Sequence, residues 1–191
     1  MIDLNVYNQL EPQKGRLLIT EPFEESSYFQ RTVILLCEHN EEGSFGFVLN
    51  NYTDLALIDF EDLPAFETKI GLGGPVSAKN LYYIHTLGEQ LDGSIHIVGD
   101  IYAGGDFDQL KELLRSGVVA ENEIRFFLGY SGWVSKQLNG ELKQNAWLVS
   151  EVGDSREIMD TNNHTLWEDY MKRQGGKYKA FAHFPKNPML N

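Results

Sequence analysis

The sequence predicts an α+β fold, a mixed sheet with about three helices on its outside. Three observations lead there. Many strand-like runs are joined by short turns. Helix-period segments occur only at intervals between them. Regular βαβ alternation is missing, which argues against a doubly wound parallel sheet. The 191 residues are 42% apolar, enough for one well-buried core. No repeat, low-complexity tract or Pro/Gly/Ser linker divides them, so a single domain over 1–191 is expected.

Gly15 to Thr20 (GRLLIT) reads as the first strand, and Phe29 to Cys37, apolar and rich in β-branched residues, as a buried second. The polar turn Asn40 to Gly43 leads into a third, Ser44 to Asn50, so an antiparallel hairpin is the simplest connection. Residues 51–68 read as irregular chain with a helical turn. Beyond the Gly71-Leu72-Gly73-Gly74-Pro75-Val76 turn, Leu81 to Thr86 and Ser94 to Val98 are two further strands. Asp106 to Arg115 is the clearest helix. Phe107, Leu110 and Leu114 share a face, Asp106 and Gln109 have capping-box spacing, and Gly117 stops it. Ile124 to Leu128 is a strand running into Gly129-Tyr130-Ser131-Gly132-Trp133. Helix Val134 to Leu142, strand Ala146 to Val149 and helix Thr165 to Arg173 complete the order.

Charge narrows the function. Sixteen Lys and Arg against 28 Asp and Glu leave −12, a surface that repels phosphate backbones and anionic lipid. The balance is uneven, at −17 over residues 1–169 and +5 over 170–191. In that last stretch Lys172, Arg173, Lys177, Lys179 and Lys186 are interleaved with Tyr178, Phe181 and Phe184. Such a tail can engage nucleic acid or an acidic partner, but its apolar residues favour packing on the protein's own surface. No secretory pattern opens the chain, and the longest apolar run, Val33 to Cys37, is far too short to span a bilayer. One cysteine provides no disulfide. A cytoplasmic protein without membrane contact is expected.

Several motifs nearly form. The Gly71–Val76 turn begins like a dinucleotide fingerprint, but Val76 stands at the third glycine and Pro75 removes an N–H, so a structural turn is favoured. Gly129-Tyr130-Ser131-Gly132 resembles a nucleophile elbow with its second glycine one residue early. Cys37 and His39, two apart on a strand, stand about 6.5 Å from one another, and a buried thiol beside a strand-end histidine is the simpler reading. His39, His85 and His96 lack metal-ligand spacing, so no metal is expected, and no cofactor. Arg31, within an otherwise apolar run, must be paired, at an edge or turned to a ligand, and the abundance of acids favours a salt bridge. Trp133 and Trp147 read as core.

Taken together, Gly15-Arg16-Leu17-Leu18-Ile19 with Pro22, Phe29 to Ile34, Cys37 to Asn40, and Gly43 to Asn50 resemble one family. Gly73-Gly74-Pro75-Val76, Leu81 to His85, Gly129 to Trp133, Gln137-Leu138, Glu141 and Trp147 continue the likeness in order. They are similar to the AlgH-like (YqgE-like) proteins, a bacterial group without an established biochemical activity. The resemblance covers 15–149, with a weaker match over 150–191. It implies a curved, mostly antiparallel sheet folded into a pseudo-barrel with helices around it. Two departures stand out. Thr20-Glu21 replaces a small and apolar pair, and Val134-Ser135-Lys136 replaces a Gly-Pro-Gly-like turn.

Some family members are labelled transcriptional regulators, yet no helix-turn-helix, zinc module or basic recognition helix occurs, and the charge opposes direct DNA contact. The first expectation is a non-enzymatic regulatory protein acting through a protein partner or small ligand. Its candidate pocket residues, from the family-like segments near strand ends, are Arg31, Thr32, His39, Asn50, Gly74, His85, Tyr130 and Ser131. Arg31 would hold an anionic group, His39 or His85 would donate or accept, and Tyr130 would stack. The alternatives are a hydrolase or transferase, with His39 or His85 as base and Ser131 or Cys37 as nucleophile, and nucleic-acid binding through the tail.

Overall fold

A computed structural model describes residues 10–184 apart from 25 and 27. Its frame is a nine-stranded sheet. The strands are β1 (Leu17–Thr20), β2 (Val33–Asn40), β3 (Gly43–Val48), β4 (Ile70–Leu72), β5 (Val76–His85), β6 (Ile95–Val98), β7 (Ile101–Ala103), β8 (Ile124–Val134) and β9 (Trp147–Ser150). They lie in the order β6-β7-β5-β8-β3-β2-β1-β9, with β4 added beside β8. Every pairing is antiparallel except β4 with β8. The terminal strands β6 and β9 do not pair with one another, so the sheet is not closed. The α+β class expected from the sequence is the one observed.

Among the described residues five helices accompany the sheet rather than about three: α1 (Phe107–Ser116), α2 (Gln137–Lys143), α3 (Ser155–Met159), α4 (Leu166–Arg173) and α5 (Gly176–Phe181). The two additional ones, α3 and α5, have five and six residues, too few for a helical period to show in sequence. Strands β4 and β7 escaped notice for the same reason, at three residues each. Helix α1 starts as expected, since the Asp106 side chain accepts from the Gln109 N–H, and Gly117 ends it at φ 72°. The reciprocal half of the capping box is absent. The Gln109 amide instead accepts from the Asp92 N–H and donates to its carboxylate, tying the loop after β5 to the helix.

The second strand begins at Val33, four residues later than its composition suggests. Arg31 adopts φ 53°, and the Thr32 hydroxyl donates to the Phe29 carbonyl, so Phe29–Thr32 form a turn. β propensity loses here to a specific latch. The Asn50 side chain donates to the Arg31 carbonyl and accepts from the Val33 N–H, holding the turn against the end of β3.

Three apolar clusters fix the layers. One joins Leu17, Ile19, Leu35, Phe47 and Phe127 of the sheet to Ile158, Trp167, Tyr170 and Tyr178 of the C-terminal helices. A second packs α1, through Leu110 and Leu114, onto Ile70, Tyr83 and Phe126. The third sets Leu138 of α2 against Leu18, Ile34, Trp133 and Trp147. Truncating a fully covered side chain such as Trp167 to alanine costs about 3–5 kcal/mol. Among the described residues no helix is long and apolar enough to cross a membrane.

Candidate functional site

Strand β8 is the axis on which the site is built. Along Ile124–Leu128 it lies between β5 and β4, and along Ser131–Val134 it pairs with β3. Between β4 and β5 the chain passes from one side of β8 to the other, over its backbone. That crossing explains the glycines. A Cβ on Gly74 would lie 2.0 Å from the Tyr130 carbonyl carbon, and one on Gly129 (φ 65°) 2.4 Å from the Gly74 oxygen. The Gly73 N–H donates to the Leu128 carbonyl, and its own carbonyl accepts from the Ser131 hydroxyl at 3.1 Å. The Gly71–Val76 turn is thus committed to chain crossing, not to a phosphate cradle.

On one side of this crossing four rings meet. Residues two apart on a strand share a face, which places Phe45 and Phe47 of β3 together. They join Tyr82 of β5 and Tyr130 of β8 in a closed circuit. Centroid distances are 6.1 Å for Phe45–Phe47, 5.9 Å for Phe47–Tyr82, 5.6 Å for Tyr82–Tyr130 and 5.9 Å for Tyr130–Phe45. Phe127 stacks against Phe47 at 4.8 Å. The quartet lines an open groove of about 900 Å³, continued by Tyr83, Phe107 and Trp133 and by glycines 104, 105 and 132. Glu38 and Glu42, both exposed, also line it. Among the described residues neither the Tyr82 nor the Tyr130 hydroxyl has a hydrogen-bond partner in the chain. Tyr83 does, donating to the Gly105 carbonyl at 2.8 Å, and burial pushes its phenol up to about 12.

Of the eight residues singled out in sequence, Tyr130 alone lines this groove. Arg31 is buried on the C-terminal side. It donates to the Phe184 carbonyl, lies 3.8 Å from the Glu168 carboxylate and stands 4.9 Å from the Trp167 ring. Thr32 is buried, its N–H donating to the Thr20 hydroxyl and its hydroxyl to the Phe29 carbonyl. Asn50 and Gly74 hold the turn and the crossing described above. His85 is fully covered. Its Nε2 lies 2.9 Å from the Gly104 carbonyl and its Nδ1 accepts from the Leu87 N–H, an arrangement that fits the neutral ring. Burial lowers its pKa, against the Gly104 hydrogen bond. Ser131 is buried with its hydroxyl spent on Gly73. His39, half-buried, pairs across the hairpin with Ser44, Nδ1 to Oγ 2.6 Å.

None of the four groups expected to catalyse bonds to another of them. Cys37 is buried, its thiol pushed well up by desolvation, against the pull of Lys14. Among the described residues no three His, Cys, Asp or Glu side chains come together as metal ligands. In the C-terminal stretch, Tyr178 and Ala182 are built into the core, Arg173 pairs with Glu157 at 2.7 Å, and Lys172 faces Asp169 at 3.8 Å. Lys186 lies outside the described residues.

Sequence reasoning passed over Phe45, Phe47, Tyr82, Glu38 and Glu42 as site residues. The spacing of Phe45 and Phe47 on a glycine-flanked strand was the available signal. Assigning it needed the pairing of β3 and β5 with the same central strand.

A family model described as DUF179, AlgH-like, matches residues 17–179. A UPF0301 protein of Parabacteroides distasonis is 42% identical over 97% of this chain and 94% of its own length. One from Cytophaga hutchinsonii is 40% identical, covering 93% and 98%. The solution structure of AlgH from Pseudomonas aeruginosa superposes with a TM-score of 0.70 at 26% identity, covering 93% of this chain and 97% of that one. A crystal structure of a Corynebacterium diphtheriae protein gives 0.74 at 23% over 96% and 100%, a likeness of fold. Matched by this family model over most of its length and by relatives about 40% identical along nearly their whole length, the chain belongs to the AlgH-like family.

Proposed function

We propose that this is a cytoplasmic, non-enzymatic binding protein with a regulatory role, which holds a small organic ligand in the aromatic groove and answers to it through a partner. The observation that carries this reading is the ring quartet, with Phe45, Tyr82 and Tyr130 partly exposed and, among the described residues, no partner for either the Tyr82 or the Tyr130 hydroxyl. Ligand sites are concave, mostly apolar and equipped with a few polar groups, with volumes of about 300–1,000 Å³. A groove of about 900 Å³ fits that range. Any action on transcription would run through such a ligand or a protein partner, since the acidic body opposes direct DNA contact.

The test is to fill the groove. Val76 lines it and is 36% exposed, so tryptophan there adds bulk without entering the core. Small aromatic compounds should shift the ring resonances of Tyr82 and Tyr130 in the wild type. The Val76→Trp variant, with unchanged unfolding, should lose that response. Equal binding by a folded, filled variant would contradict the reading.

One observation favours a second reading. His39 and Ser44 stand at nucleophile–base distance, and Ser44 lines the groove. A serine-directed fluorophosphonate probe should label Ser44 if the pair performs acyl transfer. No labelling, or labelling that persists in Ser44→Ala, argues against it. Among the described residues no side chain bonds His39 Nε2 to orient the ring, which is why the binding reading comes first.

A further inference from the structure

We infer that the groove selects a cationic head group, an organic ammonium or guanidinium on an apolar body; this rests on the groove being the ligand site. Three features of the lining point to that class. First, the contacts Phe45–Phe47, Phe45–Tyr130 and Tyr82–Tyr130 hold their rings 77–81° apart, so the quartet forms upright walls instead of a flat stack. Ring faces attract cations within about 6 Å, more strongly once the cation is desolvated. Second, no Lys or Arg is among the lining residues, whereas Glu38 and Glu42 are. Third, the −17 carried by residues 1–169 attracts cations at long range and repels anions.

The cations nearest the rings do not occupy the groove. Lys111 lies 5.4 Å from the Phe107 centroid and is held by Asp108 at 2.6 Å, which shows one lining ring already accepting an ammonium group. Arg125 lies 5.3 Å from the Phe127 centroid, fully covered, its guanidinium spent on the Ile158 and Leu49 carbonyls and the Tyr52 hydroxyl. An anionic ligand would find no counter-charge among the lining side chains. A cationic one finds the partly exposed rings of Phe45, Tyr82 and Tyr130, two carboxylates and two phenol oxygens without partners among the described residues.

Three benzyl compounds test this on the full chain: benzyltrimethylammonium, its uncharged carbon isostere neopentylbenzene, and the anion phenylacetate. Affinity is read from the Tyr82 and Tyr130 ring resonances. The cation should bind about tenfold more tightly than the isostere, with phenylacetate weakest. Glu38→Gln with Glu42→Gln, both on exposed side chains, should weaken the cation several-fold and leave the isostere unchanged. Equal binding of cation and isostere at those rings overturns the cation preference while leaving the groove as the site. If no probe shifts those rings, the groove reading fails as well. Tighter binding of phenylacetate than of the cation overturns the preference outright.

Discussion

The C-terminal face and the groove share one core cluster but are finished in opposite ways. Beneath α3–α5 several polar groups that enter the core meet partners from other segments. Arg31 reaches Phe184 and Glu168, Arg125 reaches Ile158 and Leu49, and the Trp167 indole donates to Thr20. At the groove, rings meet rings, and among the described residues the phenol oxygens of Tyr82 and Tyr130 have no partner. Buried hydrogen-bonding groups must be satisfied, so a strand-rich core draws its few polar side chains inward as ties. What is left open is apolar. Polarity in the sequence therefore marks closure here, and aromatic spacing marks the groove.

The sharpest way to break this contrast is Arg125→Met, which strips the acceptors of β8's buried tie. The lost guanidinium leaves carbonyls on two segments without their donor, and about 3–5 kcal/mol of unfolding free energy should disappear in denaturant titrations. A loss below 1 kcal/mol would show that the tie is dispensable.

Arg31→Ala probes the same face more gently. Losing one charge-assisted bond and one ion pair should cost about 1–3 kcal/mol and leave the groove's probe affinities unchanged. A several-fold fall in groove affinity in this variant would mean the two regions are not separate.

A pH series distinguishes His85 from an exposed histidine. Its pKa is lowered in the folded protein, so the unfolded chain binds the proton more readily. Its contribution is complete above the unfolded value of about 6.5 and is lost as pH falls from there through the lowered folded value. The stability difference between wild type and His85→Gln should therefore shrink as pH drops below about 6.5. A difference constant with pH would place His85 outside the closed network.

The smallest effect is expected at the turn before α2. Lys136 holds φ 65°, where the family-like turn would offer glycine. Lys136→Gly should raise stability by about 0.5–1 kcal/mol, relief of strain outweighing the added chain entropy. A destabilised variant would mean that the lysine side chain stabilises that turn.

Much of the frame was legible. The β2–β3 hairpin, the cap at Asp106, the stop at Gly117 and the strand entering Gly129–Trp133 follow from local pattern, because each is fixed by neighbours in sequence. Three-residue β4 and β7 and the short α3 and α5 were not, since fewer than two periods carry no signal. Arg31 illustrates the limit differently. Its flanking residues favour a strand, but Asn50, nineteen positions away, holds it in a turn. The groove was hidden for a related reason. Phe45, Tyr82 and Tyr130 lie on three strands, and only β8 brings them into one circuit. The glycines at 74 and 129 were visible as turn residues, yet their purpose is the passage of one backbone across another.

One measurement bears most directly on the central claim that the groove, and not the polar ties, is where this protein binds. Residue-by-residue chemical-shift mapping with benzyltrimethylammonium should perturb Phe45, Tyr82 and Tyr130 together with Glu38 and Glu42, leaving Arg31, Thr32, Asn50 and His85 still. Perturbations centred on Arg31 and Asn50, with the ring quartet unmoved, would contradict it.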